Sequence, residues 1–264
     1  MNYAEQIKQD SIKEFGSEIT VEKYKKIAEQ GFWQSEEILV NKYFRPNSNI
    51  LDIGCGSGRT TLPLYKQGYN VIGVDITPEM IETARLVAKA NNLNINYRIG
   101  DATNLEFSDD TFEGAMFANN GWAQIPGKEK RQKALDEIYR VLKPGGIFIL
   151  TAHKRYFSFY FIFFWMIKWI KYFMLKPLGV NIGEIDYGDI FFKRTINNKK
   201  FKQIQYIHIA GKGEVERQIG TSSFKLLRVS SMGEVATSDA ESMQGSLSSN
   251  HNSYKSPVFY ICQK

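Results

Sequence analysis

The order of apolar and polar positions divides the chain into distinct regions. Up to residue 45, apolar residues recur every three or four positions, which predicts three short helices. Between 46 and 153, short apolar runs alternate with amphipathic stretches, which predicts strands alternating with helices. The strands are predicted over 49–53, 70–74, 95–99, 112–118 and 147–152. The helices are predicted over 3–15, 19–30, 33–44, 59–67, 78–90 and 128–142.

Alternation of this kind is typical of an α/β fold with a doubly wound, mostly parallel sheet. It ends after residue 153, where 156–175 is strongly apolar and aromatic and 179–200 has the composition of a loop. The remaining predicted elements are strands over 203–209, 224–230 and 258–262, a short helix over 213–219, and a mobile Ser- and Asn-rich stretch over 230–257.

The length of 264 residues suits one α/β domain with an insertion better than two full domains. We therefore expect a single domain over residues 1–264. Its predicted parts are an N-terminal helical cap (1–45), a core (46–153), an aromatic and basic cap insertion after the fifth strand (154–202), and C-terminal strands (203–264).

Cysteine usage and the N-terminus bear on the cellular setting. Cys55 and Cys262 are the two cysteines, and their separation gives neither a disulfide framework nor the spacing of metal ligands. A reducing, cytoplasmic setting without a metal is therefore expected. The first residues are polar and periodic, unlike a signal peptide.

The net charge of +6 is concentrated in one region. Residues 154–202 contain ten Lys or Arg and three acids, a local excess of +7 that accounts for the whole surplus. Such a patch favours an anionic partner, such as a small acid, a phosphate or a lipid surface. A solvated basic face without a partner is the alternative.

A glycine-rich turn follows the first predicted strand. Gly54, Gly56 and Gly58 come directly after the strand that ends near Asp52, and a helix begins at about Arg59. Ligands of open α/β sheets bind at such turns, where glycine lets the backbone approach the ligand closely. The dinucleotide fingerprint would need a third glycine at the position of Arg59, so the pattern disfavours a nicotinamide oxidoreductase.

Two acids follow the next two strands. Asp75 closes the second strand, where its two oxygens suit the two hydroxyls of a ribose. Asp101 stands just past the third strand, in a position to accept the exocyclic amine of an adenine. An Asp75 that merely caps the next helix is the alternative. Together with the glycine turn, the acids indicate a site for an adenosine that carries a compact amino acid.

Four runs in this region resemble the class I, Rossmann-like S-adenosylmethionine methyltransferases, in particular the small-molecule branch related to quinone-biosynthesis (type 11) methyltransferases. They are Leu-Asp-Ile-Gly-Cys-Gly-Ser-Gly at 51–58, Gly-Val-Asp-Ile at 73–76, Gly-Asp-Ala at 100–102, and Glu-Ile-Tyr-Arg-Val-Leu-Lys-Pro-Gly-Gly at 137–146. The resemblance covers about residues 49–153. It implies a seven-stranded sheet whose last strand is antiparallel, S-adenosylmethionine as cofactor, and a small-molecule methyl acceptor.

The resemblance also implies roles for single residues. The glycines at 54, 56 and 58 would hold the methionine part, Asp75 the ribose, and Asp101 with Ala102 the adenine. Asn119 and Asn120 would border the methyl donor. Three further residues of the matched runs are expected at the cofactor: Asp52, Cys55 and Ile76.

The residues after the fourth strand bear on the acceptor. Enzymes of this superfamily that methylate nucleobase amines usually carry Asn or Asp followed by Pro-Pro-aromatic here, whereas this chain reads Ala-Asn-Asn-Gly-Trp at 118–122. Aromatic residues also cluster in one run instead of alternating with basic ones. No nucleic-acid partner is therefore expected.

The run 156–175 is the predicted cover of the acceptor site. On a helical wheel of residues 154–176, one arc holds Ser158 and the lysines at 154, 168, 171 and 176, and the remainder is almost wholly apolar. A lid over an apolar acceptor, a homodimer face and a peripheral membrane contact all remain open. Lys168 and Lys171 interrupt the run and argue against a transmembrane span.

His153, after the fifth strand, and His208 are the candidate general bases, with packing roles as the alternative. Tyr24, Trp33, Trp122 and Arg155 are the candidate residues of the acceptor pocket. The functional alternatives are a non-catalytic nucleoside-binding module, a membrane-associated regulator, and an enzyme acting on a lipid or quinone at the membrane surface.

Overall fold

Helices and strands alternate through the middle of the chain, as the apolar pattern predicts. The computed structural model describes residues 2–153, 155, 159–193, 195–196, 199–200, 204–211, 213–238 and 257–264. Within them the helices are α1 Tyr3–Phe15, α2 Glu18–Ala28, α3 Gln34–Tyr43, α4 Thr61–Lys66, α5 Pro78–Ala90, α6 Lys128–Val141, α7 Phe159–Ile170, α8 Glu214–Thr221 and α9 Met232–Ser238. The strands are β1 Asn49–Ile53, β2 Asn70–Asp75, β3 Asn96–Ile99, β4 Phe112–Phe117, β5 Leu142–Ala152, β6 Asp189–Phe192, β7 Thr195–Ile196, β8 Lys199–Lys200, β9 Gln205–His208, β10 Lys225–Ser231 and β11 Val258–Gln263.

The main sheet has seven strands in the order β10-β11-β5-β4-β1-β2-β3. Strands β1 to β5 pair in parallel, and the last strand, β11, is antiparallel to both β5 and β10. This confirms the predicted doubly wound sheet. The chain adds strands on one side of β1 and then crosses to β4 on the other side, so a crevice forms at the carboxyl ends of β1 and β4.

The sheet is buried on both faces, because successive side chains of a strand point to opposite sides. In β1, Ile50 packs into one hydrophobic cluster with α3 and α5, whereas Leu51 packs into the other with α6 and α8. Both side chains are fully buried. This explains why the strands read as continuous apolar runs.

The C-terminal half departs from the sequence-based expectation in two places. Part of the expected loop 179–200 forms β6, which pairs antiparallel with β9 in a two-stranded ribbon apart from the main sheet. In addition, α9 occupies the start of the stretch that we predicted to be mobile. Both elements are short, so their formation depends on contacts with distant segments. Residues 154, 156–158 and 239–256 lie outside the described residues.

The aromatic run forms α7, followed by a π-helical turn over Lys171–Leu175 and a 3-10 turn over Lys176–Leu178. In the part of the chain that the structure describes, no helix combines the length and the apolar character needed to cross a bilayer.

Candidate functional site

A cavity opens at the carboxyl ends of β1, β2 and β4, in the crevice that the strand order creates. It encloses about 950 Å³, including space open to solvent. Tyr24 lines it. The predicted cofactor residues in its wall are Gly54, Gly56, Asp75, Ile76, Asp101, Ala102 and Asn119.

The glycine turn forms the floor of this cavity. Gly54 has a φ of 62° and Gly56 a φ of 54°, a left-handed conformation that glycine adopts without steric cost. A Cβ on Gly54 would also lie 2.7 Å from Cε2 of Phe117. The turn therefore requires glycine, which brings the bare backbone to the cavity.

Asp75 is anchored to the same turn. Its Oδ2 accepts the Gly56 N–H at 2.9 Å, and its Oδ1 accepts the Thr77 N–H at 2.8 Å. Burial raises the pKa of Asp75, although these N–H groups oppose the shift. Each carboxylate oxygen keeps a second acceptor position, so the side chain both caps the following turn and remains able to bind hydroxyls.

Asp101 meets a partner that the sequence did not suggest. Its Oδ1 accepts the N–H and hydroxyl of Thr103, both at 2.9 Å, and its Oδ2 lies 2.6 Å from Lys8 Nζ of α1. Burial opposes ionisation, but Lys8 and Thr103 together hold the pKa of Asp101 below its usual value. The N-terminal cap thus reaches the acid expected at the adenine.

Apolar side chains line the rest of the cavity. Ile12 and Phe15 of α1 approach from the N-terminal cap, and the Phe15 ring packs edge-on against Tyr24 with centroids 5.7 Å apart. The facing wall contains Phe117 and Ile125. The helical spacing of apolar residues up to residue 45 predicted a helix here but not which side chains would reach a cavity. Their place at the cavity follows from how α1 packs on the core.

Four predicted cofactor residues are not among those that line the cavity: Asp52, Cys55, Gly58 and Asn120. Asp52 is fully buried, and its Oδ2 accepts the hydroxyls of Thr60 and Thr61 at 2.7 and 2.6 Å. Burial raises the pKa of Asp52 to about 6, although the hydrogen bonds from the two hydroxyls partly offset this rise. Burial also raises the pKa of the Cys55 thiol, well above its usual value. Both side chains support the turn from within the core.

The turn after β4 is conformationally strained. Asn119 and Asn120 have φ values of 51° and 59°, a left-handed conformation that is uncommon for residues with a side chain. The Asn120 N–H donates to Thr151 Oγ1 at 2.8 Å, and its buried Oδ1 has no partner among the described residues. Strain and an unsatisfied polar atom at a cavity edge point to a functional role for this turn.

Three of the residues expected in the acceptor pocket lie elsewhere. The Trp33 ring stacks on the guanidinium of Arg59 at 4.4 Å. Trp122 is fully buried and its Nε1–H donates to the carbonyl of Arg131, so it belongs to the core. Arg155 donates to the carbonyls of Tyr187 in the cap insertion and of Ile209 directly after β9. None of these three residues is among those that line the cavity.

His208 also lies away from the cavity. It is fully buried on β9, with Nδ1 2.9 Å from Asp189 and Nε2 2.8 Å from Glu214. The histidine holds the pKa of Asp189 below its usual value and lowers that of Glu214 to about 2, against the opposing effect of burial. This geometry suits a structural link. It corrects the expectation that His208 stands near the acceptor.

His153 follows β5 at the ligand-binding edge of the sheet and is half-buried. Burial lowers its pKa, which favours the neutral imidazole that a general base requires. It is not among the residues that line the cavity. Its proximity to the acceptor therefore stays a prediction.

Among the described residues, one cluster that includes His208 has possible metal-ligand atoms close enough together to hold an ion. Oxygen or nitrogen atoms of Asp186, Asp189 and His208 lie within 4.8 Å of one another. However, Arg131 lies 2.8 Å from Asp186, and Asp189 already accepts bonds from Tyr206 and His208. The group is therefore already neutralised by a protein cation.

Comparison with known proteins relates the core to one family. Residues 50–146 match the family model described as a methyltransferase domain. The demethylmenaquinone methyltransferase of Symbiobacterium thermophilum is 37% identical over 146 residues, which cover 53% of this chain and 57% of that protein. The chain thus spans less than two thirds of the length of the curated relatives that it matches.

Solved structures resemble a larger part of the chain. A crystal structure described as a SAM-dependent methyltransferase from Methanosarcina mazei has a TM-score of 0.64 at 20% identity, covering 89% of this chain and 98% of that one. The 1,6-didemethyltoxoflavin N1-methyltransferase of Burkholderia thailandensis, solved with S-adenosylhomocysteine, has a TM-score of 0.54 at 15% identity, covering 87% and 76%. At these identities the likeness establishes the fold.

Proposed function

We propose that this protein transfers the methyl group of S-adenosylmethionine to a small, apolar acceptor, because residues 50–146 match the methyltransferase-domain family model. The observation that carries the proposal is the convergence of three groups on one cavity. These are the glycine turn after β1, Asp75 at the end of β2 and Asp101 after β3. Function has to be argued from such a site, because the fold alone hosts many activities.

The residues of the cavity fit the cofactor. The backbone at Gly54 and Gly56 holds the methionine part, because no side chain there obstructs it. Asp75 binds the ribose hydroxyls through its spare acceptor positions, and Asp101 with Ala102 binds the adenine. When bound, the cofactor supplies an electrophilic methyl group on a sulfonium. The protein's task is then to align the acceptor, which can contribute about 7–11 kcal/mol to lowering the barrier.

The lining of the cavity favours an apolar acceptor over an anionic one. Lys8 and Lys130 are the cations in the described lining, and both are paired, with Asp101 at 2.6 Å and Glu5 at 3.1 Å. The basic excess of the cap therefore does not reach the cavity. Ile12, Phe15 and Phe117 offer apolar surface instead.

His153 is the proposed general base for an acceptor that must lose a proton. Its lowered pKa keeps it neutral near pH 7. We expect His153→Gln to lower kcat by about 10²–10⁴-fold, the usual contribution of a positioned base. Unchanged S-adenosylhomocysteine affinity, measured by calorimetry, would separate this loss from a damaged cofactor site. Turnover equal to that of the wild type would remove the assignment.

Calorimetric titration with S-adenosylhomocysteine tests the cofactor site. We expect wild-type protein to bind S-adenosylhomocysteine and not to bind NADH. Asp75→Asn should weaken binding by about 1.5–3 kcal/mol, because hydrogen bonds to a charged group are lost. Asp109 is an exposed acid that does not line the cavity. Asp109→Asn is therefore the matched control and should bind S-adenosylhomocysteine like the wild type.

Two outcomes would count against the proposal. A folded wild-type protein that does not bind S-adenosylhomocysteine would refute it. Methyl transfer to the components of an apolar metabolite extract can be followed by mass spectrometry. A protein that binds S-adenosylhomocysteine but methylates no component of the extract would favour the non-catalytic nucleoside-binding alternative.

A further inference from the structure

In the helix of the cap insertion, polar side chains face the protein and apolar side chains face outward. This is the reverse of the usual arrangement in a surface helix. Trp165, Lys168, Tyr172 and Lys176 follow one another at helical spacing and face the protein. Lys168 Nζ lies 2.7 Å from Glu184 Oε1, and Tyr172 donates to a cap carbonyl. Lys176 Nζ donates to the carbonyls of two cap residues as well. Lys168 and Lys176 thus serve as internal anchors, whereas Lys171 is exposed.

The apolar side chains of the same helix face outward. Phe163 is 56% exposed, Ile167 52% and Met174 55%. Further exposed apolar residues of this outer face are Phe159, Ile162, Met166, Ile170 and Phe173. A contiguous apolar surface of this kind is rare on soluble proteins and marks a site of interaction with a protein or a membrane.

The length of the helix fits an interfacial position. Twelve residues of α7 and five of the π-helical turn rise by roughly 25 Å or less, below the ~30 Å hydrocarbon core of a bilayer. A helix rich in Phe and Trp that is too short to span lies in the plane of the headgroup boundary.

We propose that the outer face of α7 and of its π-helical turn docks on an anionic lipid bilayer. Charge favours this occupant over a second copy of the chain. Residues 154–202 carry a net +7, and Lys171 and Lys193 are exposed. Exposed lysines of two copies would repel each other across a symmetric interface, whereas anionic headgroups attract them.

The docking face is connected to the mouth of the cavity. Gly183, in the loop after α7, accepts a hydrogen bond from the Tyr3 hydroxyl of α1 at 2.9 Å. In the same loop, Ile185 packs against Gly127, which directly follows the cavity residue Pro126. Insofar as the proposed function holds, this arrangement places the acceptor cavity beside the lipid phase from which an apolar acceptor would enter.

Flotation with vesicles tests the docking face. Wild-type protein should float with vesicles of phosphatidylcholine mixed with phosphatidylglycerol, and less with phosphatidylcholine alone or at high salt. The triple variant Phe163→Ser, Ile167→Ser, Met174→Ser should bind at least about tenfold more weakly, because it loses the apolar part of the contact. The control variant Leu86→Ser, Leu227→Ser, Val229→Ser removes exposed apolar side chains elsewhere and should float like the wild type.

The outcomes separate this proposal from the proposed function. Calorimetry with S-adenosylhomocysteine reports the fold and cofactor site of each variant without vesicles. Wild-type protein that binds S-adenosylhomocysteine but stays in the aqueous fraction with both vesicle types would overturn the docking proposal alone. Wild-type protein that is dimeric and does not float, while the triple variant is monomeric, would assign the face to a second copy instead. Flotation without cofactor binding would refute only the proposed function.

Discussion

Three aspartates stand at the ends of neighbouring strands, and the fold gives each a different environment. Asp52 lies inside the core beneath the glycine turn, and burial raises its pKa to about 6. Burial raises the pKa of Asp75 as well, but this residue lines the cavity. Asp101 is paired with Lys8, which lowers its pKa against the effect of burial. The chemistry available at each position therefore depends on its neighbours in space.

Lys8 competes with any ligand amine for Asp101. We expect Lys8→Met to tighten S-adenosylhomocysteine binding by up to about fivefold, since a partly exposed ion pair is worth about 0.2–1 kcal/mol. Calorimetry would measure the change, with Lys13→Met on the exposed side of α1 as the control. Weaker binding in Lys8→Met would show that Lys8 contacts the ligand instead of competing with it.

The pKa of Asp52 predicts a dependence of stability on pH. Its folded-state pKa of about 6 lies above the unfolded value of 3.8, so the proton is held more tightly in the folded state. Its stabilising effect is therefore complete below about pH 4 and is lost as the pH rises through about 6.

Asp52→Asn should remove this dependence, because an amide stays neutral and its oxygen accepts the same threonine hydroxyls. We expect the wild type to lose about 2–3 kcal/mol relative to the variant between about pH 4 and pH 7. Urea unfolding across that range measures the difference. A constant difference would contradict the assigned pKa, and Asp109→Asn serves as the exposed control.

At the scale of elements, the cap insertion is held to the core by buried polar contacts. His208 on β9 links Asp189 on β6 to Glu214 on α8, and Arg131 on α6 pairs with Asp186 beside them. The ribbon of β6 and β9 has only eight paired residues, so strand pairing alone cannot hold it in place. The polar cluster therefore fixes where the cap sits.

His208→Gln should lower the free energy of unfolding by about 3 kcal/mol, because it removes the histidine that links the carboxylates of Asp189 and Glu214. The loss should shrink as the pH falls below about 4, since the histidine stabilises the ionised form of Glu214, whose pKa is about 2. Denaturant unfolding measures this, with the exposed Glu216→Gln as the control. Unchanged stability with a large loss of turnover would instead restore His208 as a catalytic candidate.

At the scale of the whole molecule, α1 connects the core and the cap insertion. Lys8 pairs with Asp101 in the core, while Tyr3 bonds to Gly183 in the cap insertion and Glu14 to Gln205 on β9, the partner of β6. A ligand that reorders α1 therefore acts on both parts at once.

Hydrogen exchange with and without S-adenosylhomocysteine tests this connection. We expect binding to slow amide exchange in α1 and β9 as well as in the glycine turn, because opening of the cap then competes with the bound state. Protection confined to residues 53–58 and 75–77 would show that the cap moves independently of the cofactor site.

Much of the core followed from the sequence. The apolar runs and helical periods of residues 46–153 predicted its strands and helices, because both patterns arise from local burial on a sheet or a helix face. The family resemblance supplied the number of strands and the antiparallel direction of the last one. The glycine turn with Asp75 and Asp101 was also readable, because the carboxyl ends of parallel strands meet at one edge.

Contacts between distant segments were decided by the tertiary structure. Lys8 and Asp101 are 93 residues apart, and β6 gains its partner only when β9 folds back onto it. The wheel of residues 156–175 separated the lysines from the apolar side chains but left open which side faces the protein. Packing on Glu184 and the cap carbonyls turned Lys168 and Lys176 inward, because buried acceptors need donors and no local pattern reveals where those acceptors lie.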